Sequence, residues 1–292
     1  MSQVHIPVLL QEVLHYLDPK PGENFIDATF GFGGHGFAIL EKVGPSGKLL
    51  GIELDPEIYQ SIQPSKRLIL VNDSYANLGE IVRTYNFQKI NGILFDLGFS
   101  SWHVDQGGRG FSFLRDEPLG LNYGLGKDQI TAEQIINQWP EQEITKILKD
   151  FGEERFAGRI SSFIAAARHQ KPIKTTFELV EIIKQAIPRR FQHQKIHPAT
   201  RTFQALRIAV NDELNNLKKG LAAAMEILSP GGRLVVISFH SLEDRIVKHF
   251  FRRQKEIGNL EILTKKPICS TDTEVAQNPR SRSAKLRAAR II

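Results

Sequence analysis

Asp27, His35, Glu53 and Asp96, with the glycines at 31, 33, 34 and 36, are the residues whose types and spacing suggest chemistry. Glycines 31, 33 and 36 match G-x-G-x-x-G, and Glu53 stands where a nucleotide-binding sheet places its ribose-binding acid. A dinucleotide site runs an apolar strand straight into its first glycine, so that a helix N-terminus meets a pyrophosphate. Here Asp27 interrupts that strand end. A carboxylate there suits a ligand bearing an ammonium and a sulfonium rather than phosphates, and S-adenosylmethionine carries both. The glycine turn would then offer backbone N–H groups to the methionine carboxylate, Glu53 would accept the ribose hydroxyls, and Asp96 would face the reacting end. On these residues alone, other nucleotides and a merely tight turn stay open.

These groups need strands and helices to hold them. Phe25 to Ala28, Lys48 to Glu53, Arg67 to Val71 and Ile90 to Phe95 read as strands, with a helix over Phe37 to Val43 closed by Gly44-Pro45. Residues 5 to 17 read as a first helix with Pro7 in its first turn. Strands spaced by helices imply right-handed βαβ units and a parallel sheet. From Gln106 the pattern turns to glycines 107, 108 and 110, then to helical signals without strands. Thr131-x-x-Gln134 and Thr175-x-x-Glu178 are capping boxes, Gly152 and Pro188 are stops, and Phe156, Ile160, Phe163, Ile164 and Ala167 form a stripe. The expected organisation is therefore a sheet domain over 1–105 and 197–292 with a helical insertion over 106–196. The sheet resumes after one long amphipathic helix from Phe203 to Leu228, a turn at Ser229-Pro-Gly-Gly232 and a buried strand from Leu234 to Phe239.

At 292 residues, with 41% hydrophobic and 24% charged residues, a globular chain with an ample core is expected. No apolar run approaches the ~18 to 20 residues that span a bilayer, and Met1 to Pro19 has no basic leader region, so neither membrane helix nor signal peptide is expected. Cys269 is the only cysteine, which excludes an internal disulfide and favours a cytoplasmic protein. Residues 245 to 292 hold 12 Lys/Arg against 4 Asp/Glu, a local +8, so with a total of +6 the rest is near −2. A basic end on a near-neutral body suggests a polyanionic partner, a solvated basic face being the alternative.

Eight segments occur in order: His-Ile-Pro-Val-Leu-Leu-Gln-Glu (5 to 12), Asp-Ala-Thr-Phe-Gly-Phe-Gly-Gly-His (27 to 35), Asp-Leu-Gly-Phe-Ser-Ser (96 to 101), Arg-Gly-Phe-Ser-Phe (109 to 113), Phe-Gly-Glu-Glu-Arg-Phe-Ala (151 to 157), His-Pro-Ala-Thr-Arg-Thr-Phe-Gln-Ala-Leu-Arg (197 to 207), Ser-Phe-His-Ser-Leu-Glu-Asp-Arg (238 to 245) and Asn-Pro-Arg-Ser-Arg-Ser (278 to 283). Together they resemble the RsmH (MraW) family, bacterial 16S ribosomal-RNA methyltransferases that use S-adenosylmethionine to methylate a cytosine N4 in the decoding region. The resemblance implies an α/β class I S-adenosylmethionine-dependent methyltransferase, Rossmann-like and mostly parallel, with an inserted helical domain for target recognition. It puts cofactor contacts on Gly33, Gly34, His35, Glu53, Tyr75, Asp96 and His103, beside Asp27. The implied partner is 16S ribosomal RNA within the small subunit; a homodimer is left open.

Cytosine's exocyclic amine is a poor nucleophile, whereas a sulfonium is a strong methyl donor, so positioning should supply most of the rate. Asp96 is the expected organiser of cofactor and target, a general base being the lesser role. Methylation at C5 would need a cysteine nucleophile, and Cys269 is remote in sequence from the strand-four tip. His193 and His197 have i, i+4 spacing but no obvious third ligand, so no metal is expected. His240 is first of all part of a Ser241-x-x-Asp244 helix start, and a target-base contact is its sharper reading. Arg201, Arg207, Arg280, Arg282, Lys285, Arg287 and Arg290 would hold phosphates or else pair with the body. The target cytosine is expected to be extruded into the cleft between sheet and insertion. The chain departs from the family at Gly120-Leu-Asn-Tyr123, where an acidic-Met-Arg-Met segment is usual, at Glu53, usually aspartate, and at His103, usually glutamine. A non-catalytic RNA-binding or ribosome-assembly factor on a degenerate methyltransferase fold is the rival reading, and a DNA or protein methyltransferase a third.

Overall fold

The computed structural model describes residues 6–99, 101–105, 108–124, 129–192 and 196–292. His5, Ser100, Gly107 and His193 lie outside the described residues. The chain opens with α1 (Leu10–Leu17), β1 (Asn24–Asp27), α2 (Gly34–Val43), β2 (Lys48–Glu53), α3 (Pro56–Ser61), β3 (Leu68–Asn72), α4 (Leu78–Thr84) and β4 (Ile90–Asp96). Helices follow: α5 (Ser101–Asp105), α6 (Ala132–Gln138), α7 (Glu141–Asp150), α8 (Ala157–Gln170), α9 (Thr176–Ala186), α10 (Thr200–Asn211) and α11 (Glu213–Ile227). The chain then returns to strands with β5 (Leu228–Ser238), α12 (Ser241–Glu256), β6 (Leu260–Ile262), β7 (Ile268–Cys269), α13 (Asp272–Gln277) and β8 (Lys285–Ile291).

Two compact units result, one of residues 1–98 and 214–292, the other of residues 99–213. In the first, the strands run in the order β3-β2-β1-β4-β5-β8-β6, with β7 also paired to β8. The pairs among β1 to β5 are parallel, while β8 is antiparallel to its neighbours. This is the mostly parallel α/β sheet that the resemblance implies. Alternate residues of one strand serve the two faces. Ile26, Ile93, Phe95 and Val236 belong to one apolar cluster, while Phe25, Leu94, Val235 and Ile237 belong to the other. Because both faces are covered, the strands read as continuous apolar runs.

Three expectations are corrected. The first helix begins at Leu10, because Leu9 is left-handed (φ 54°) and breaks it from Pro7. The long helix from Phe203 to Leu228 is two helices, α10 and α11, parted by left-handed Asp212 (φ 48°). Ser229 to Gly232 lies within β5 instead of preceding it: Ile90 pairs with Leu228 and Gly92 with Arg233, so the extra residues form an irregularity, with Gly231 at φ 78°.

The second unit has its own core, in which Ile135, Ile144, Leu148, Ile160, Ile164, Leu179, Ile183 and Leu206 are buried. Both expected capping boxes are present at Thr131 and Thr175. The insertion expected over 106–196 lies inside this unit, which also takes in α10.

Candidate active site

The strand order turns at β1 and β4, where parallel sheets carry their ligands outside the carboxyl ends. Asp27 ends β1, Glu53 ends β2 and Asp96 ends β4. Asp27 is 1% exposed, and burial pushes its carboxyl up to about 6 despite the neighbouring His35 and the N–H groups of Thr29 and Gly36. Its Oδ1 accepts from Thr29 N at 3.2 Å. The Thr29 hydroxyl in turn accepts from Asp96 N at 2.6 Å, which stitches the tip of β1 to that of β4.

Gly33 caps α2 in a left-handed conformation (φ 81°), so the helix begins at Gly34, earlier than Phe37. That puts His35 in the first turn, buried, with Nε2 3.4 Å from Asp96 Oδ2. Burial opposes its protonation, but the Asp96 and Asp27 carboxylates outweigh burial and raise its pKa. His35 Nδ1 and Nε2 and Asp96 Oδ1 are buried and make no hydrogen bond among the described residues. Buried polar atoms are ordinarily satisfied, so three orphans on one sheet edge call for a polar ligand. A ligand with a cation and hydrogen-bonding groups fits this donor set.

The glycine spacing has a second cause that the sequence hid. A Cβ at Gly36 would come within 2.4 Å of the Phe30 ring, and one at Gly33 within 2.4 Å of the Phe37 ring. Part of the fingerprint therefore makes room for aromatic rings beneath the turn.

Glu53 is also engaged. Its Oε2 accepts from Gly31 N at 2.8 Å and its Oε1 from Asp55 N at 2.7 Å. Burial pushes it up to about 7, the two amide bonds working the other way. Asn72, which sequence reasoning missed, donates to the carbonyls of Glu53 and Leu54 at 2.8 and 3.1 Å and holds β2 to the end of β3. A polar residue closing an apolar strand was its only signal. Tyr75 lies half-buried in the turn after β3, its ring edge-on to Phe95 at 5.5 Å.

His240 follows β5 on the same edge as Asp96, which pairs with Ile237. It, rather than Ser241, is the N-cap of α12. Its Nδ1 accepts from Glu243 N at 3.4 Å, and Glu243 Oε2 accepts from the N–H groups of Phe239 and His240. Within the basic end, Arg287 makes two bonds to Asp244, and Arg290 bonds Glu261.

His103 belongs to the second unit. It is 4% exposed, with ring centroids 5.1 Å from Phe111 and 5.2 Å from Tyr123. The departing segment 120–123 is part of the same cluster. Tyr123 stacks on Phe111 and donates its hydroxyl to Glu213, while Leu121 N donates to the Arg109 carbonyl and Asn211 Nδ2 to the Leu121 carbonyl. Arg207, expected as a phosphate ligand, is buried and makes two bonds to Glu213 at 2.8 and 3.0 Å.

A sequence model of the MraW methylase family matches residues 2–292. Ribosomal RNA small subunit methyltransferase H of Geobacter sulfurreducens is 46% identical over 309 residues, covering 99% of each chain. The proteins of that name from Heliobacterium modesticaldum and Symbiobacterium thermophilum are 45% and 44% identical, covering 98% and 99% of this chain and 97% and 96% of their own.

Proposed function

This chain belongs to the MraW methylase family, and from that premise we propose that it transfers a methyl group from S-adenosylmethionine to the exocyclic N4 of a cytosine in the decoding region of 16S ribosomal RNA, within the small subunit. The observation that carries the reading is the sheet edge where Asp27, His35 and Asp96 meet, with three buried polar atoms lacking hydrogen bonds.

S-adenosylmethionine, when bound, supplies an electrophilic methyl on its sulfonium. Asp27 and Asp96 supply the negative charge that a cation needs there, and His35, carrying a proton, balances them until a cationic ligand does so. Amides at the start of α2, from Gly34 onward, take the methionine carboxylate, the Gly33 amide being already given to the Phe30 carbonyl at 2.8 Å. Glu53 keeps lone pairs for the ribose hydroxyls beyond the two given to amides. Tyr75, half-buried in the turn after β3, serves the adenine. Asp96 accepts a hydrogen bond from the cytosine amine, turns its lone pair toward the methyl and receives or relays the departing proton at a carboxylate oxygen. His240 is a secondary candidate for a base contact, and the helical unit recognises the target RNA.

Labelled-methyl transfer to small subunits lacking the modification, with nucleotide mapping, tests the proposal. One labelled cytosine N4 is expected, and the label is lost in Asp96→Ala. Label on no RNA, with RNA affinity intact and no S-adenosylmethionine binding, would replace the proposal with the assembly-factor reading.

A further inference from the structure

The helical unit contains a pocket that none of the roles above uses. It occupies about 240 Å³ and is lined by Glu154, Arg155, Phe156, Phe191, His197 and Arg201 among others. Two of the sequence segments quoted earlier build it, residues 151 to 157 and 197 to 207. Gly152 allows them to meet, since a Cβ there would come within 2.7 Å of the Arg201 carbonyl. Glu154 is buried and accepts from Phe156 N at 2.7 Å, which shapes the loop between α7 and α8. Gln204 Nε2 donates to the Phe151 carbonyl at 3.0 Å and ties that loop to α10.

Beside the buried Glu154 carboxylate, the lining chemistry is cationic and planar. The Arg155 guanidinium lies 4.9 Å from the Phe191 ring centroid and 5.5 Å from that of Phe156, and Arg190 lies over Phe191 at 4.9 Å. Arg155, Arg190 and Arg201 are exposed, and among the described residues no acid pairs with any of them. A guanidinium stacked by its face keeps its N–H edge for a phosphate, and its plane accepts an unstacked base as an aromatic ring does. His197 stacks on Phe113 at 4.8 Å, and its Nδ1 accepts from Ala199 N at 3.2 Å. Burial, with Lys184 nearby, lowers its pKa, so the ring is neutral at pH 7 and carries its proton on Nε2 as a donor. The pocket is smaller than the roughly 300–1,000 Å³ of drug-sized ligand sites, a size that suits one nucleotide rather than a whole cofactor.

We propose that this pocket is an RNA subsite, taking one unstacked nucleotide of a single-stranded segment with its phosphate on Arg155 and Arg201 and its base on the Arg155–Phe191 stack. The proposal deepens the ribosomal-RNA reading and rests on it for the source of the RNA. It concerns holding the substrate, so its effect falls on affinity.

The test compares Arg155→Ala, Arg201→Ala and Arg155→Lys with the unaltered protein, and Arg83→Ala, exposed in α4, as a control that removes the same charge from the other unit. Binding of a short single-stranded RNA oligonucleotide is read by fluorescence anisotropy across a salt series, beside the melting temperature and calorimetric S-adenosylmethionine affinity. Arg155→Ala and Arg201→Ala are each expected to weaken RNA about tenfold and to flatten the salt dependence, Arg155→Lys to recover only part of the loss, and Arg83→Ala to bind normally. Equal RNA affinity in folded Arg155→Ala and Arg201→Ala overturns the subsite. So does an equal loss in Arg83→Ala, or an acidic peptide that displaces RNA at the same concentration as free oligonucleotide. RNA loss in the variants beside an unaltered protein that methylates nothing would leave the subsite standing and overturn the catalytic reading instead.

Discussion

Glu53 Oε2 accepts the backbone N–H of Gly31 at 2.8 Å, so the acid ending β2 is a strut under the glycine turn after β1. Aspartate is shorter by one methylene and is expected to keep only one of the bonds to Gly31 N and Asp55 N. Glu53→Asp is expected to weaken S-adenosylmethionine about tenfold, the order of one lost hydrogen bond to a charged group. Calorimetry checks this, and an unchanged dissociation constant would remove the strut.

Asp96 has one carboxylate oxygen buried without a hydrogen bond. Asp96→Asn keeps the shape and removes the charge. Methyl transfer is expected to fall by at least ~100-fold, the usual scale for a positioned acid or base, beyond the loss of cofactor affinity that the missing charge brings. Single-turnover transfer beside equilibrium binding separates the two; equal losses in both would make Asp96 a cofactor ligand only.

Cofactor binding should strengthen as pH rises through 6 to 7. Glu53 is pushed up to about 7 and Asp27 up to about 6, so both must lose protons to serve a cationic ligand, and His35, whose pKa is raised, must give up its proton beside that cation. All three signs agree. Calorimetry in buffers of different ionisation enthalpy should show net proton release, and His35→Gln should release fewer protons. Proton uptake would contradict the arrangement.

The same acids cost stability. The folded pKa of Asp27 exceeds its unfolded value of 3.8, so its penalty is absent below about pH 4 and complete above about pH 6. Asp27→Asn should stabilise the ligand-free protein at pH 8 by about 3 kcal/mol while weakening cofactor binding, with the gain shrinking toward pH 4. Urea unfolding at several pH values measures it, and a gain independent of pH would assign the effect to packing.

In the second unit, Arg207→Ala strands a buried Glu213 carboxylate and should cost roughly 3–5 kcal/mol, whereas Tyr123→Phe, which removes one of its hydrogen bonds, should cost about 1 kcal/mol. The order of the two melting temperatures is the check; a milder Arg207→Ala would mean that water reaches Glu213.

The sheet and its acids were legible because β1, β2 and β4 each run through short apolar stretches into an acid, Asp27, Glu53 or Asp96, a pattern that survives without knowing any partner strand. What stayed hidden depends on partners distant in the chain. Leu9 and Asp212 are left-handed residues of types that do not require it, so periodicity carried α1 one turn too early and fused α10 with α11. His240 takes the cap because Glu243 reaches back to it, although serine next to it is the commoner capping residue. Gly36 reads as a cofactor glycine until Phe30 is seen beneath it. Arg207 and Arg287 read as phosphate ligands because nothing in their neighbourhoods announces Glu213 or Asp244.

β8 lies between β5 and β6 although it comes after both in sequence. During synthesis the outer edge of β5 therefore waits, apolar and unpaired, until residues 285–291 leave the ribosome. Such an edge invites pairing with other chains. The helical unit has by then been complete for the time it takes to make residues 214–284, so its core can form ahead of the sheet that flanks it in sequence. Folding of the first unit is thus timed by its last strand, and a nascent chain arrested before that strand is the form most exposed to aggregation.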